Sequence, residues 1–452
     1  MSRGDRGFST TSTDASQPKS DIAASADGSH SNLESITLDR SHPRAADHHY
    51  EDTILNMHSI ALPKIGMIVG CIFYTVSAHA ADGNDQDRLE RVVGEAIRPV
   101  MTENDVPGMA VAITVKGKRY VFNYGVASKE TGQKVSNDTI FELGSLSKTF
   151  TAVLASYAEV SGKLSLSDKA TKYLPALSGS SFDKISLLDL GTYTAGGLPL
   201  QFPDDVTDQD KMIAYYRNWH PSYAPGTHRL YSNPSIGLFG YLAAAAMGEP
   251  FDTLMQEKIF AGLGLNHTYV RVPPGEMGNY AYGYSKQDKP IRVTPGVLDM
   301  QAYGVKTTSP DMLSILEANM DSSRLDGTLQ RAIAATHIGY YTVGNTTQAL
   351  GWEIYTYPTT TLTRLLSGNS SDMALKPHKI TRLVPPQPQR KDILLNKTGS
   401  TNGFGAYAAF IPAKQIGIVL LANKNYPIPE RVKAAYKILT AVENLPGSSG
   451  AQ

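Results

Sequence analysis

Apolar residues recur at three- and four-residue spacing through Phe150, Val153, Leu154, Tyr157 and Ala158, which predicts a core helix over about 145–160 with Gly162 as its stop. The same spacing in Leu89, Val92, Val93, Ala96, Ile97 and Val100 predicts a helix over 87–102. Between these two the period changes. Residues 108–115 and 119–126 alternate across Lys116-Gly117 in the manner of a β-hairpin. From there to about residue 335 the chain reads as short helices separated by Gly and Pro loops, and strands return only after Leu394. Residues 394–399, 404–411 and 415–422 form an expected antiparallel meander, its first pair turning across Thr401-Asn402-Gly403, and 431–442 closes the chain as an amphipathic helix. The hairpin and the meander most simply share one sheet. The expectation is an α/β fold of the α+β type: an antiparallel sheet from the N- and C-terminal segments flanked by helices, plus a mostly helical middle region. The boundaries are an α/β part over 81–140 and 340–452 and a helical part over about 141–339, with a site between them.

Composition changes this picture mainly at the N-terminus. The 452 residues are 41% hydrophobic and 19% charged, with 42 basic and 42 acidic residues, so no overall charge draws the chain to nucleic acid or an anionic membrane. Residues 1–56 are polar and aperiodic and read as a disordered extension or the product of an upstream start. Residues 57–80 then follow secretory grammar: Lys64, an apolar run over 65–76, and the small-x-small site Ala78-His79-Ala80, which places the mature start at about Ala81 and the mature protein in the periplasm. The run is shorter than a membrane span needs. The only cysteine, Cys71, lies in that leader, leaving no thiolate for catalysis or metal binding in the mature chain. The 11 histidines form no H-x-H or H-E-x-x-H cluster, so the sequence implies neither a metal nor another cofactor.

Three short patterns carry candidate chemistry. Ser145 and Lys148 open the predicted core helix, where spacing of three puts an amine beside a hydroxyl on one face and the first turn leaves backbone N–H groups free for an oxyanion. Ser-x-x-Lys also occurs at Ser16 and Ser181, without such a helix, and alone it equally fits a helix cap with a surface lysine. Tyr231-Ser232-Asn233 precedes the apolar run 236–242; by itself Tyr231 also reads as a packing residue. Lys397-Thr398-Gly399 puts Lys397 and Gly399 on one strand face, with Gly399 expected to admit a substrate backbone. By itself it equally describes a surface lysine near a turn.

In order, Ser-x-x-Lys, Tyr-x-Asn and Lys-Thr-Gly resemble the motifs of the class C serine β-lactamases, within the penicillin-recognising serine enzymes. Longer stretches carry the same resemblance: 142–150, Thr192-Tyr193-Thr194-Ala195-Gly196-Gly197-Leu198-Pro199-Leu200-Gln201, 231–240, Ala302-Tyr303-Gly304-Val305-Lys306, 396–404 and 421–427. It covers essentially 81–443. The resemblance implies a β-lactamase/transpeptidase-like fold, a monomer, and hydrolysis of cephalosporins and penicillins through an acyl ester on Ser145. It implies that Lys148 and Tyr231 act as a coupled base beside Lys397, and that the backbone N–H groups of Ser145 and Ser400 hold the oxyanion. By the same resemblance Asn233 and Gln201 hold the substrate's acylamino group, Lys397, Thr398 and Asn425 surround its carboxylate, and Tyr303 walls the pocket. Ile428 departs from the pattern, standing where many class C enzymes carry an asparagine that helps contact that carboxylate; Arg431 is no more than a candidate long-range substitute, so carboxylate recognition is left to Lys397 and Asn425. The same motifs also serve D-alanyl-D-alanine peptidases and esterases, and a penicillin-binding sensor would share them while stopping at the acyl-enzyme.

Overall fold

Where the chain is apolar on nearly every residue rather than every second one, it is buried on both faces. The computed structural model describes residues 72–444, with side chains from residue 85. Residues 1–56, the leader up to residue 71 and the tail from 445 lie outside the described residues. Helix α1 (Ile72–Glu103) leads into the hairpin β1 (Gly108–Val115) and β2 (Lys118–Gly125). The longest helices of the middle segment are α2 (Ser147–Val160), α3 (Asn233–Met247) and α4 (Ser309–Met320). The strands β3 (Gly339–Val343), β4 (Thr346–Gln348), β5 (Glu353–Thr356), β6 (Thr381–Gln387), β7 (Ile393–Ser400), β8 (Gly405–Ile411) and β9 (Ile416–Ala422) then precede the closing helix α5 (Ile428–Glu443).

Among the described residues, nine strands form one sheet in the order β6-β3-β4-β5-β7-β8-β9-β1-β2. Every pairing is antiparallel, and β1 lies against β9 from Met109 opposite Ala422 to Val115 opposite Ile416, so the two ends of the chain do share a sheet. Lys116 and Gly117 turn the hairpin with φ of 51° and 83°, the left-handed pair that a two-residue turn between twisted strands requires. On one face Leu89, Val93 and Ile97 of α1 and Val432, Ile438 and Leu439 of α5 bury the sheet. On the other, Phe150 and Leu154 of α2 and Met312, Leu313 and Leu316 of α4 pack on Ala408, Phe410 and Val419. The opposite side of α2 faces a separate apolar cluster with Ile236, Phe239 and Leu242 of α3, so α2 is the element through which sheet and helical region share a core.

Three expectations differ from this. Strands begin at Gly339 rather than near Leu394: β3 to β6 are three to seven residues long, and β6 holds Pro385 and Pro386 at the sheet edge, where a missing N–H breaks no ladder. Helix α1 begins at Ile72 rather than at residue 87, running through Asp82-Gly83-Asn84, which on sequence reads as a helix start. Helix α5 begins at Ile428, with Pro429 in its first turn, where proline suits the fixed φ.

Candidate active site

The sequence Leu143-Gly144-Ser145 folds against the end of β7 because two glycines allow it. Gly144 has φ of 53°, and a Cβ there would lie 2.5 Å from the backbone of Ser400. A Cβ on Gly399 would lie 1.9 Å from the carbonyl oxygen of Leu143. Gly399 is therefore required by the protein's own nucleophile-bearing turn, not by an incoming substrate backbone as the sequence suggested. Ser145 itself sits in a single 3₁₀ turn, Gly144–Leu146, directly before α2 rather than inside it. This docking sets the backbone of Ser400 beside the Ser145 turn.

Lys148 is fully buried in the first turn of α2. Its three donors are spent on Ser145 Oγ at 2.9 Å, Asn233 Oδ1 at 2.7 Å and the carbonyl of Ala302 at 2.7 Å. Asn233 is held as the first residue of α3, where Ser232 caps the helix by accepting from the Ser235 N–H. The Asn233 N–H also donates to Leu200, tying in the loop that carries Gln201. Burial lowers the Lys148 pKa and the charge of Lys397 lowers it further, against the opposing pull of Tyr231, leaving it at about 8.

Tyr231 lies behind Ser145 with Lys148 Nζ 5.1 Å and Lys397 Nζ 5.2 Å from its ring centre. Burial would raise the pKa of its phenol, but Lys148 first and then Lys397, with Ser145 beside it, bring it down to about 8. The hydroxyl is buried, and the two ammonium charges are the larger of the influences that hold its acidity, with Ser145 and Lys148 close enough to add hydrogen-bonding to them. Lysine and phenol thus titrate together, as a pair able to pass one proton between them. The far side of the ring packs on Tyr193 at 4.8 Å between centroids, and the buried Arg229 lies 5.6 Å from it.

Lys397 is buried on β7 with Nζ bonded to its neighbour's carbonyl at Thr398, 2.8 Å away. Thr398 and Ser400 are half-buried, and Asn425 is exposed on the loop before α5. Ser145, Gln201, Asn233, Tyr303, Ser400 and Asn425 line a cavity of about 470 Å³. Lys148, Tyr231 and Lys397 stand behind that lining, while Thr398, half-buried on β7 between Lys397 and Gly399, is not part of it. Ile428 is not in the lining; it is half-buried and packs with the apolar cluster under the terminal helices. Among the described residues no group of three or more His, Cys, Asp or Glu could hold a metal ion.

Arg431, the candidate long-range substitute at the carboxylate, is committed inside the protein instead. Its guanidinium is fully buried in α5 and donates to Gly399 O at 2.6 Å, Ser400 Oγ at 2.9 Å, Asn425 Oδ1 at 2.7 Å and the Tyr426 carbonyl. Gly405 makes room for it, since a Cβ there would lie 2.8 Å from the guanidinium carbon. Burial lowers its pKa to about 10, so it stays charged at neutral pH. A signal for this was present in the sequence: Arg431 occupies the same helical stripe as Ala435, Ile438 and Val442, where only apolar residues belong unless a buried partner awaits. Arg229 and Tyr193, the latter at φ of 64°, carried no comparable signal.

The arrangement can activate a hydroxyl, hold an anion and move a proton within one buried cluster. The β-lactamase family model matches residues 93–443. A β-lactamase from Pseudomonas fluorescens is 56% identical over 355 residues, covering 78% of this chain and 99% of that protein. A class C β-lactamase crystallised in complex with cefoxitin is 49% identical with a TM-score of 0.77, over 79% of this chain and 99% of that one. A β-lactamase/D-alanine carboxypeptidase from Pseudomonas syringae is 51% identical with a TM-score of 0.76, over 78% and 98%. Similarity of this extent, over the residues that build the cavity, means that the chain belongs to the β-lactamase family, in its class C branch.

Proposed function

We propose that the protein hydrolyses the β-lactam ring of cephalosporins and penicillins through an acyl ester on Ser145, and so confers resistance to them. The observation that carries this is Lys148, buried and at a pKa of about 8, bonded to Ser145 Oγ at 2.9 Å beside a tyrosine also near 8. Ser145 Oγ attacks the ring carbonyl and gives its proton to the Lys148–Tyr231 pair. The backbone N–H groups of Ser145 and Ser400 bind the oxyanion. The ring C–N bond then breaks, the departing nitrogen takes the proton from the pair, and the acyl ester remains. Water attacks the ester with the pair as base, releasing the ring-opened acid and restoring Ser145.

In this reading Asn233 and Gln201 hold the acylamino group, Tyr303 forms a wall, and Lys397, Thr398 and Asn425 receive the nucleus carboxylate. The α/β part over 81–140 and 340–452 supplies the anion-binding side, and the helical part over 141–339 supplies the nucleophile and its base. The enzyme acts as a monomer in the periplasm after a leader over 57–80 is removed, needing neither metal nor cofactor. Among the described residues no helix is long and apolar enough to cross a membrane.

A second reading is favoured by the Pseudomonas syringae neighbour, whose name joins β-lactamase with D-alanine carboxypeptidase. A time course with a chromogenic cephalosporin, for the parent and Ser145→Ala, separates the two. Sustained turnover that vanishes in the variant is the expected result. A single stoichiometric burst leaving a stable acyl-enzyme would mean a peptidase or a sensor.

A further inference from the structure

The segment 291–294, which lines the cavity beside the Gly403 turn, carries a charge that the reaction above does not use. Among the described residues lining the cavity that holds Ser145, Arg292 alone is formally charged; Lys148 and Lys397 stand behind the lining. Its guanidinium is gripped on both faces, 4.1 Å from the ring centre of Tyr280 and 4.2 Å from that of Tyr282. Its Nε donates to Ala281 O at 3.2 Å and its Nη2 to Tyr280 O. Tyr280 is itself fixed, stacked on Phe404 and donating its hydroxyl to Glu142. The same Glu142 oxygen accepts from Val293 N–H at 2.7 Å, which ties the Arg292 segment to the residue that precedes the nucleophile turn.

The grip supplies rings and neutral carbonyls, but Arg292 forms no ion pair with a carboxylate among the described residues. The nearby Glu142 is shared with Lys306, whose Nζ is buried against Val270 O. A cation held rigid at a cavity wall, with donors uncommitted, is suited to a carboxylate, because little freedom is lost when the two meet and the fork matches its oxygens. The nucleus carboxylate is already assigned to Lys397 and Asn425, so the anion that meets Arg292 must come from elsewhere on the substrate.

We propose that Arg292 is a specificity-determining residue, favouring β-lactams whose acyl side chain carries a terminal carboxylate. This rests on the β-lactam reading of Ser145. The test compares the 7-glutaryl and 7-valeryl derivatives of one cephalosporin nucleus, which differ by a carboxylate in place of a methyl group. Parent, Arg292→Met and Arg292→Lys are measured in the full chain, with a thermal melt of each.

The expected result is that the parent favours the glutaryl compound about tenfold in kcat/KM, through KM, and that the preference shrinks with added salt. Arg292→Met abolishes the preference and Arg292→Lys keeps part of it. A parent ratio near one, or a ratio unchanged in a folded Arg292→Met, overturns the proposal. So does an equal loss in both variants, which would make the effect one of wall packing. If Arg292→Met does not fold, the parent's salt dependence and Arg292→Lys still decide. Hydrolysis of neither compound by the parent would instead remove the β-lactam reading itself.

Discussion

Lys148 and Arg431 are both fully buried at this protein's site, and neither is paired with a carboxylate among the described residues. Lys148 gives its donors to a hydroxyl, an amide oxygen and one carbonyl, and titrates at about 8. Arg431 gives its donors to the carbonyls of Gly399 and Tyr426 and to Asn425 and Ser400, and titrates at about 10. A buried charge without a counterion usually neutralises itself by shifting its pKa. The lysine goes far enough to do so near neutral pH, and the arginine does not. The difference separates two tasks: a proton must leave at Lys148, whereas at Arg431 a fixed charge must hold the end of β7 and the Asn425 loop together.

Exchanging the kind of cation at the first site gives the largest expected effect. Lys148→Arg keeps a charge and several donors but cannot release a proton near neutral pH, so kcat for a cephalosporin should fall by about a thousandfold. The melting temperature should change far less. A variant retaining a tenth of parental kcat would mean that Lys148 serves as a fixed charge only.

Removing the second cation should act on two readouts at once. Arg431→Met leaves the buried carbonyl of Gly399 and the side chain of Asn425 without their donor, at a cost of about 3 kcal/mol of stability. With the Ser400 backbone less firmly placed, kcat/KM should fall about thirtyfold in protein that is still folded. Lost stability with unchanged kinetics would reduce Arg431 to a structural clamp.

The contrast between these sites also marks what the sequence could and could not convey. The helix from Ser147 to Val160, the Lys116-Gly117 hairpin and the closing meander are long and strongly periodic; Lys148 and Lys397-Thr398-Gly399 lie on two of them, and Tyr231-Ser232-Asn233 opens the equally apolar α3, so the convergence was legible. The strands between Gly339 and Gln387 were not, being short and rich in Thr and Pro, held by neighbours in the sheet rather than by their own pattern. Gly399 was recognised as a place of close approach, but only the fold reveals that Leu143 is what approaches. Arg431 was named for its charge, while its burial depends on carbonyls that β7 and the Asn425 loop bring to it.

A smaller effect tests the coupling of Lys148 to Tyr231. The charge of Lys397 lowers the pKa of both groups, so removing it should let both rise. The basic form of the pair then appears at higher pH. In Lys397→Ala the ascending limb of kcat against pH should move upward by about one unit, with about a tenfold loss at pH 7. A profile between pH 5 and 10 measures this. An unmoved limb would exclude the pair as the base, whatever happens to KM through the lost carboxylate contact.

The smallest expected effect lies between Asn425 and Arg431, at Ile428. Arg431 donates to Asn425 Oδ1 at 2.7 Å, which turns the amide oxygen inward and leaves the amide nitrogen as the donor on the cavity side. One oriented donor is therefore present without any contribution from residue 428, whose half-buried isoleucine packs under the terminal helices instead. Ile428→Asn adds a second donor at the start of α5 in exchange for a little apolar contact, so melting should change little. Inhibition by a carboxylate-bearing β-lactam inhibitor should strengthen about threefold, the scale of one exposed hydrogen bond to a charged group. Indistinguishable inhibition would mean that Arg431, by orienting Asn425, already supplies what the asparagine provides in other members of the family.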